Sequence, residues 1–253
     1  MAIDFELLAP PLAAGIIVAS THVPLGRRVL ARGVVFLDLA IAQVASLGVV
    51  VALGAGWDLA GWQAQAAAIA AALIACALLV WTDRRWPTIQ ESLIGVLFVS
   101  SASAEFLVLA DNPHAGEHVK DMLAGQILWV TWDALGPIAL FSALLIASWC
   151  SLGQRLGRIG FYSLFALAVT RSVQILGIYL VFATLILPAL AARCVPARWS
   201  LGTGYATAAF GYVGGLVLSA VADLPSGPTI VLALLVGFFC SAAAAAPFRA
   251  RVT

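Results

Sequence analysis

The sequence predicts an all-α, polytopic membrane protein of eight or nine transmembrane helices, and three observations carry that reading. Of its 253 residues 63% are hydrophobic and 10% charged, with a mean hydropathy of +1.05, leaving too few polar groups to cover a water-facing exterior. The apolar residues gather into runs approaching the roughly 20 residues a helix needs to cross about 30 Å of hydrocarbon. Basic and acidic residues alternate between the loops that join those runs, and within lipid a helix satisfies its own backbone polar groups.

The first run, 7–21, follows Asp4 and Glu6 rather than a basic stretch and leads straight into further apolar segments. It reads as a retained span, not a cleaved signal peptide. Further spans are expected over 34–53, 63–81, 92–109, 135–149, 201–222 and 229–246. The apolar stretch from Ile159 to Ala192 is too long for one ordinary span. If Arg158 and Arg193 flank it on the same side, the chain goes out and returns, with Gly177 the expected hinge. Legs of about 16 residues are marginal for crossing and can be tilted or re-entrant, so eight full spans stands beside nine.

Charge sets the orientation. Arg27, Arg28, Arg32, Arg84, Arg85, Arg155, Arg158, Arg193, Arg198, Arg249 and Arg251 can all be placed on one side, which the positive-inside rule makes cytoplasmic. The opposite loops carry Asp4, Glu6, Asp58, Asp111, Glu117, Asp121, Asp133 and Asp223, with Lys120 the basic exception and Arg171 near the outer end of its span. Nine traverses place the N-terminus outside and the C-terminus inside. Tryptophans such as Trp57, Trp62, Trp129 and Trp199 fall near span ends, where an indole is both wet and apolar. Gly211-x-x-x-Gly215 reads as close helix packing within the chain rather than as a dimer motif. Cys76, Cys150, Cys194 and Cys240 lie far apart in or beside apolar runs and read as small buried apolar residues. No internal repeat or linker marks a second domain, so residues 1–253 are expected to form a single transmembrane domain.

The chemistry is sparse. A formal net charge of +1 offers no basic face for nucleic acid. There is no G-x-x-x-x-G-K-[ST] loop for nucleotide phosphates, no G-x-S-x-G elbow and no H-E-x-x-H helix, so neither ATP hydrolysis nor another enzymatic activity is expected of the chain itself. Ionisable groups inside spans are costly and by default functional, which singles out Asp38 and Glu105. Gln43 follows Asp38 by five residues, roughly 140° around a regular helix; the two can bound one pathway, or Asp38 can pair with Arg32 or cap a helix. Glu105 reads as a cation-path carboxylate or as a group near the outer interface. In the outer loop His114, Glu117 and His118 are suited to divalent transition metals, or are simply solvated.

Four blocks then carry a resemblance that spans most of the chain. Pro24 to Arg28, running on through Arg32-Gly33-Val34-Val35-Phe36 to Gln43-Val44-Ala45-Ser46-Leu47-Gly48, is similar to the first cytoplasmic loop and second span of the membrane permeases of zinc, manganese and iron ABC uptake systems. Asp121 to Val130 resembles their outer segment before the fifth span. Val173 to Gly177 with Ala183 to Ala189 resembles their most distinctive apolar block, and Asp223 to Leu232 their final loop and span.

The resemblance implies a metal-uptake ABC permease: a homodimer in a bacterial inner membrane, cytoplasmic ATPase subunits that bind the ATP, an extracytoplasmic binding protein that delivers the metal, and no permanently bound cofactor. The residues themselves suggest a pathway at Asp38, Gln43 and Glu105 and a metal site among Asp38, His114, Glu117 and His118, and the resemblance puts the ATPase contact at Leu152, Arg155, Gly157 and Arg158. There are two departures. The family commonly has Asp and then His four residues later in the second span, whereas here Gln43 takes the histidine position and Asp38 is one residue out of register. The cytoplasmic segment 152–160 is also shortened and has little of the family's acidic pattern. An ATP-independent secondary transporter and a non-transporting membrane scaffold are the rival expectations.

Overall fold

The computed structural model describes residues 5–58, 61–109, 127–152 and 157–249. They form nine α-helices and no strand: α1 (Phe5–Arg32), α2 (Leu37–Gly54), α3 (Trp62–Arg85), α4 (Gln90–Leu109), α5 (Trp132–Leu152), α6 (Gly157–Leu176), α7 (Ile178–Arg193), α8 (Ala197–Ala222) and α9 (Ser226–Arg249). Among the described residues eight helices are long and apolar enough to span a membrane, and α7, equally apolar, has 16 residues. The stretch between Arg158 and Arg193, too long for one span, forms two helices, α6 and α7. Gly177 joins them at φ 79, ψ 162, a backbone region open essentially to glycine alone.

One expected loop is helical. Pro24 to Arg28 lies inside α1, which runs without a break to Arg32. Proline supplies no N–H to the carbonyl four residues back, but the Tyr205 hydroxyl of α8 donates to that carbonyl, on Ser20, at 3.1 Å. The acceptor that Pro24 would orphan is therefore satisfied, and the chain turns only at Gly33, φ +72. Arg32, Arg84, Arg85 and Arg193 likewise close their helices rather than occupy loops, a placement the helix dipole favours.

The chain divides into two compact units, each discontinuous in sequence: residues 1–32, 124–144 and 175–253 in the first, 33–123 and 145–174 in the second. In the first unit, α1, α7, α8 and α9 pack through small residues. Gly15 accommodates the Tyr212 ring, and Gly26 lies against the Leu185 backbone. The buried Tyr212 hydroxyl is bonded to Thr184 Oγ1 at 2.8 Å. Gly211 and Gly215 face Leu234 and Ile230 of α9, the packing within the chain that their spacing suggested. α8 stops at Asp223, a left-handed residue, and Ser219 donates to the Leu224 carbonyl at 2.6 Å; Pro225 follows as a helix-stop signal.

In the second unit α2 lies between α3 and α4. Gly48 allows the approach to α3, since a Cβ there would stand 2.8 Å from the Ala67 carbonyl oxygen. α6 meets α3 through Cys76 and Ser163 (3.7 Å), and α5 through the rings of Trp149 and Phe161. Of the cysteines only Cys76 is buried; Cys150 and Cys240 are exposed and Cys194 is intermediate, which corrects the uniformly buried reading. A thiol is apolar enough to face lipid, so an outward position costs little.

Candidate functional site

The most informative polar group in the second unit is a carboxylate held by two neutral donors. Glu105, in the last turns of α4, is 4% exposed. Its Oε2 accepts the Ser46 hydroxyl at 3.0 Å and the Gln43 side-chain amide. Gln43 and Ser46 are three apart on α2 and so share a face, and both are buried. No Lys or Arg pairs with Glu105 among the described residues. A carboxylate taken out of water without a counter-charge is costly unless it carries a proton or meets a cation.

Asp38 is placed elsewhere. It stands in the first turn of α2, is 1% exposed, and among the described residues neither carboxylate oxygen has a well-formed hydrogen-bond partner, only the N–H groups of its own turn, on Asp38 and Leu39, lying near it. The structure thus joins Gln43 to Glu105, while Asp38 lies at the same end of its helix as the turn where Phe36 N–H donates to Glu91 Oε1 at 3.1 Å.

The remaining candidates divide. His114, Glu117, His118 and Arg155 lie outside the described residues. Leu152 ends α5, Gly157 opens α6 at φ +56, and Arg158 forms an ion pair with Asp83 at 3.5 Å. Among the described residues no three His, Cys, Asp or Glu side chains are gathered as metal ligands. Sequence reasoning did not single out Ser46, Glu91 or Asp83. For Ser46 the available signal was its three-residue spacing from Gln43; for Glu91 and Asp83 it was a carboxylate at a helix end beside an apolar run. His22, the one histidine of the sequence besides His114 and His118, is fully buried, with Nδ1 3.0 Å from both Val18 O and Thr21 Oγ1.

These features can be set beside known proteins. The model of the ABC 3 transport family matches residues 4–161 and 147–245. The chain is 26% identical over 250 residues to the high-affinity zinc uptake system membrane protein ZnuB of Haemophilus influenzae, covering 90% of this chain and 94% of that one. Its fold is similar to PsaBC from Streptococcus pneumoniae, solved in complex with Fab: TM-score 0.74 at 19% identity, over 94% of this chain and 91% of that one. It is also similar to an inward-facing metal-chelate type ABC transporter: TM-score 0.62 at 17% identity, over 91% and 85% of the two chains. A family match that runs through nearly every helix described above makes this chain a member of the ABC 3 transport family.

Proposed function

We propose that the chain is the membrane-spanning permease subunit of an ATP-dependent importer for a divalent transition metal, zinc or manganese foremost and iron as a further cargo. In this reading residues 1–253 serve as one membrane domain and two copies form the permease. Cytoplasmic ATPase subunits, contacted around Leu152, Arg155, Gly157 and Arg158, supply the energy. An extracytoplasmic binding protein delivers metal to the outer face of a bacterial inner membrane, where His114, Glu117 and His118 can collect it. The likeness to a zinc-uptake membrane protein supports the cargo class.

The observation that carries the reading is the buried Glu105 with Gln43 and Ser46. A carboxylate, a carboxamide and a hydroxyl offer oxygen donors, weaker for zinc than the imidazole usual in the family at the Gln43 position. Weak donors suit a site that must release its ion as well as bind it. The ion enters from the acidic outer side, exchanges part of its hydration for Glu105 and its neighbours, and leaves inward when ATP use in the partner subunits rearranges the helices.

The test is uptake of zinc, manganese and iron into proteoliposomes holding the chain with its ATPase and binding protein. One metal should accumulate with ATP, and Glu105→Gln should lower that uptake about tenfold or more, by analogy with losses at metal-site partners, while the complex still assembles. Uptake that survives removal of the ATPase would replace this reading with secondary transport.

A further inference from the structure

Six buried side-chain polar atoms lack a hydrogen-bond partner among the described residues, and four of them are oxygens contributed by the first turns of α2 and α4: Asp38 Oδ1 and Oδ2, Gln90 Oε1 and Glu91 Oε2. These helices pack together in the second unit. The Phe36 N–H, two residues before Asp38, is held by Glu91 Oε1 at 3.1 Å, which brings the start of α4 to the start of α2. The carboxylates of Asp38 and Glu91 are within electrostatic reach of each other. Gln90 donates its amide to the Leu79 carbonyl at 3.0 Å and keeps its own oxygen buried.

All four are acceptors when the acids are ionised, so further acceptors cannot satisfy them; a donor, a proton or a cation can, and a divalent cation can serve all four at once. An ionised, buried Asp38 beside an ionised, half-buried Glu91 without a counter-charge is unfavourable by desolvation and by mutual repulsion. The arginines before α2 and at the end of α3 assign this end to the cytoplasmic side. Glu105 is further along α4 by about 21 Å of helix at 1.5 Å per residue.

We propose that Asp38 and Glu91, with the Gln90 amide oxygen adjoining, form a second divalent-cation site at the inner end of α2 and α4, separate from the Glu105 cluster. The site is all-oxygen and takes a hard, six-coordinate ion such as Mn2+, completed by water, ahead of a softer ion that favours nitrogen or sulfur. The inference rests on the transport reading above, for which it supplies the last station before release. Two carboxylates there hold the ion until the helix starts separate.

The experiment counts bound Mn2+ on the full chain in nanodiscs by the loss of the free-ion electron paramagnetic resonance signal. The unmutated chain should bind two ions. Glu91→Gln and Asp38→Asn should each weaken Mn2+ affinity at the inner site about tenfold or more, as expected when ligand charge is removed, so that one ion is no longer counted at a concentration that just fills both sites of the unmutated chain; Glu105→Gln should remove the other. The two acidic variants provide the same readout, so failure of one to fold leaves its partner decisive, and the wild-type count needs no variant. A single ion lost in Glu105→Gln, and kept in Glu91→Gln and Asp38→Asn, overturns the inner site and leaves the functional reading standing. A single ion with the reverse pattern upholds the inner site and removes Glu105 from the path. No bound ion overturns both.

Discussion

In the proposed pathway Gln43 decides how tightly Glu105 can hold a transition metal. Its amide donates to Glu105, so the carboxylate is oriented by a neutral group that contributes at most a weak oxygen ligand. An imidazole at this position would keep the contact with Glu105 and add a nitrogen that zinc prefers. Gln43→His is therefore expected to strengthen zinc binding about tenfold, in the range by which metal-site partners tune affinity. It should also slow turnover, because an ion held more firmly in the pathway leaves it less readily. Zinc titration of the purified chain and initial uptake rates check the two halves separately. Unchanged affinity would mean that position 43 does not face the ion. Ser46 acts more gently: its hydroxyl is one of two donors to Oε2, and one such hydrogen bond contributes about 1 kcal/mol.

At the scale of elements, the second unit ends with α6 and the first resumes near α7, and the turn between them is a single residue. Gly177 sits at φ 79, ψ 162, where a Cβ clashes with the local backbone whatever the surroundings offer. Gly177→Ala should therefore destabilise the chain by about 1–3 kcal/mol, read as a lowered thermal unfolding temperature in detergent. An unchanged unfolding temperature would show that the turn relaxes to a backbone conformation alanine tolerates. The Pro24 region of α1 is the contrasting case. There a residue that normally breaks helices is accommodated because a distant side chain, Tyr205, reaches the Ser20 carbonyl. The division into α6 and α7 was legible from the length of the apolar stretch and from Gly177. The continuity of α1 was not, since it depends on a partner 185 positions away in sequence. The same limit applies to the site: Asp38 and Glu105 stand out as charges within apolar runs, but their separation and the meeting of Gln43 and Ser46 with Glu105 arise from how α4 packs on α2.

For the whole molecule, the proposed transport requires that events in an ATPase reach the membrane helices, and the sequence marked 152–160 as the place of contact. Arg158 bonds Asp83 at 3.5 Å, with their side chains 54% and 19% exposed. An ion pair that open contributes about 0–1 kcal/mol to stability, so its consequence lies in position: it ties the start of α6 to the end of α3. The tie lies within the segment that the proposed function gives to the ATPase contact. Arg158→Asp should leave the unfolding temperature nearly unchanged, since an exposed substitution shifts stability by about 0.5 kcal/mol or less. It should nonetheless lower metal-stimulated ATP hydrolysis and uptake together. The added substitution Asp83→Arg restores the pair with its charges exchanged, and should recover both activities if the tie transmits the movement. Recovery of neither would assign Arg158 to direct contact with the ATPase, since reversing the internal pair cannot repair a surface the partner reads.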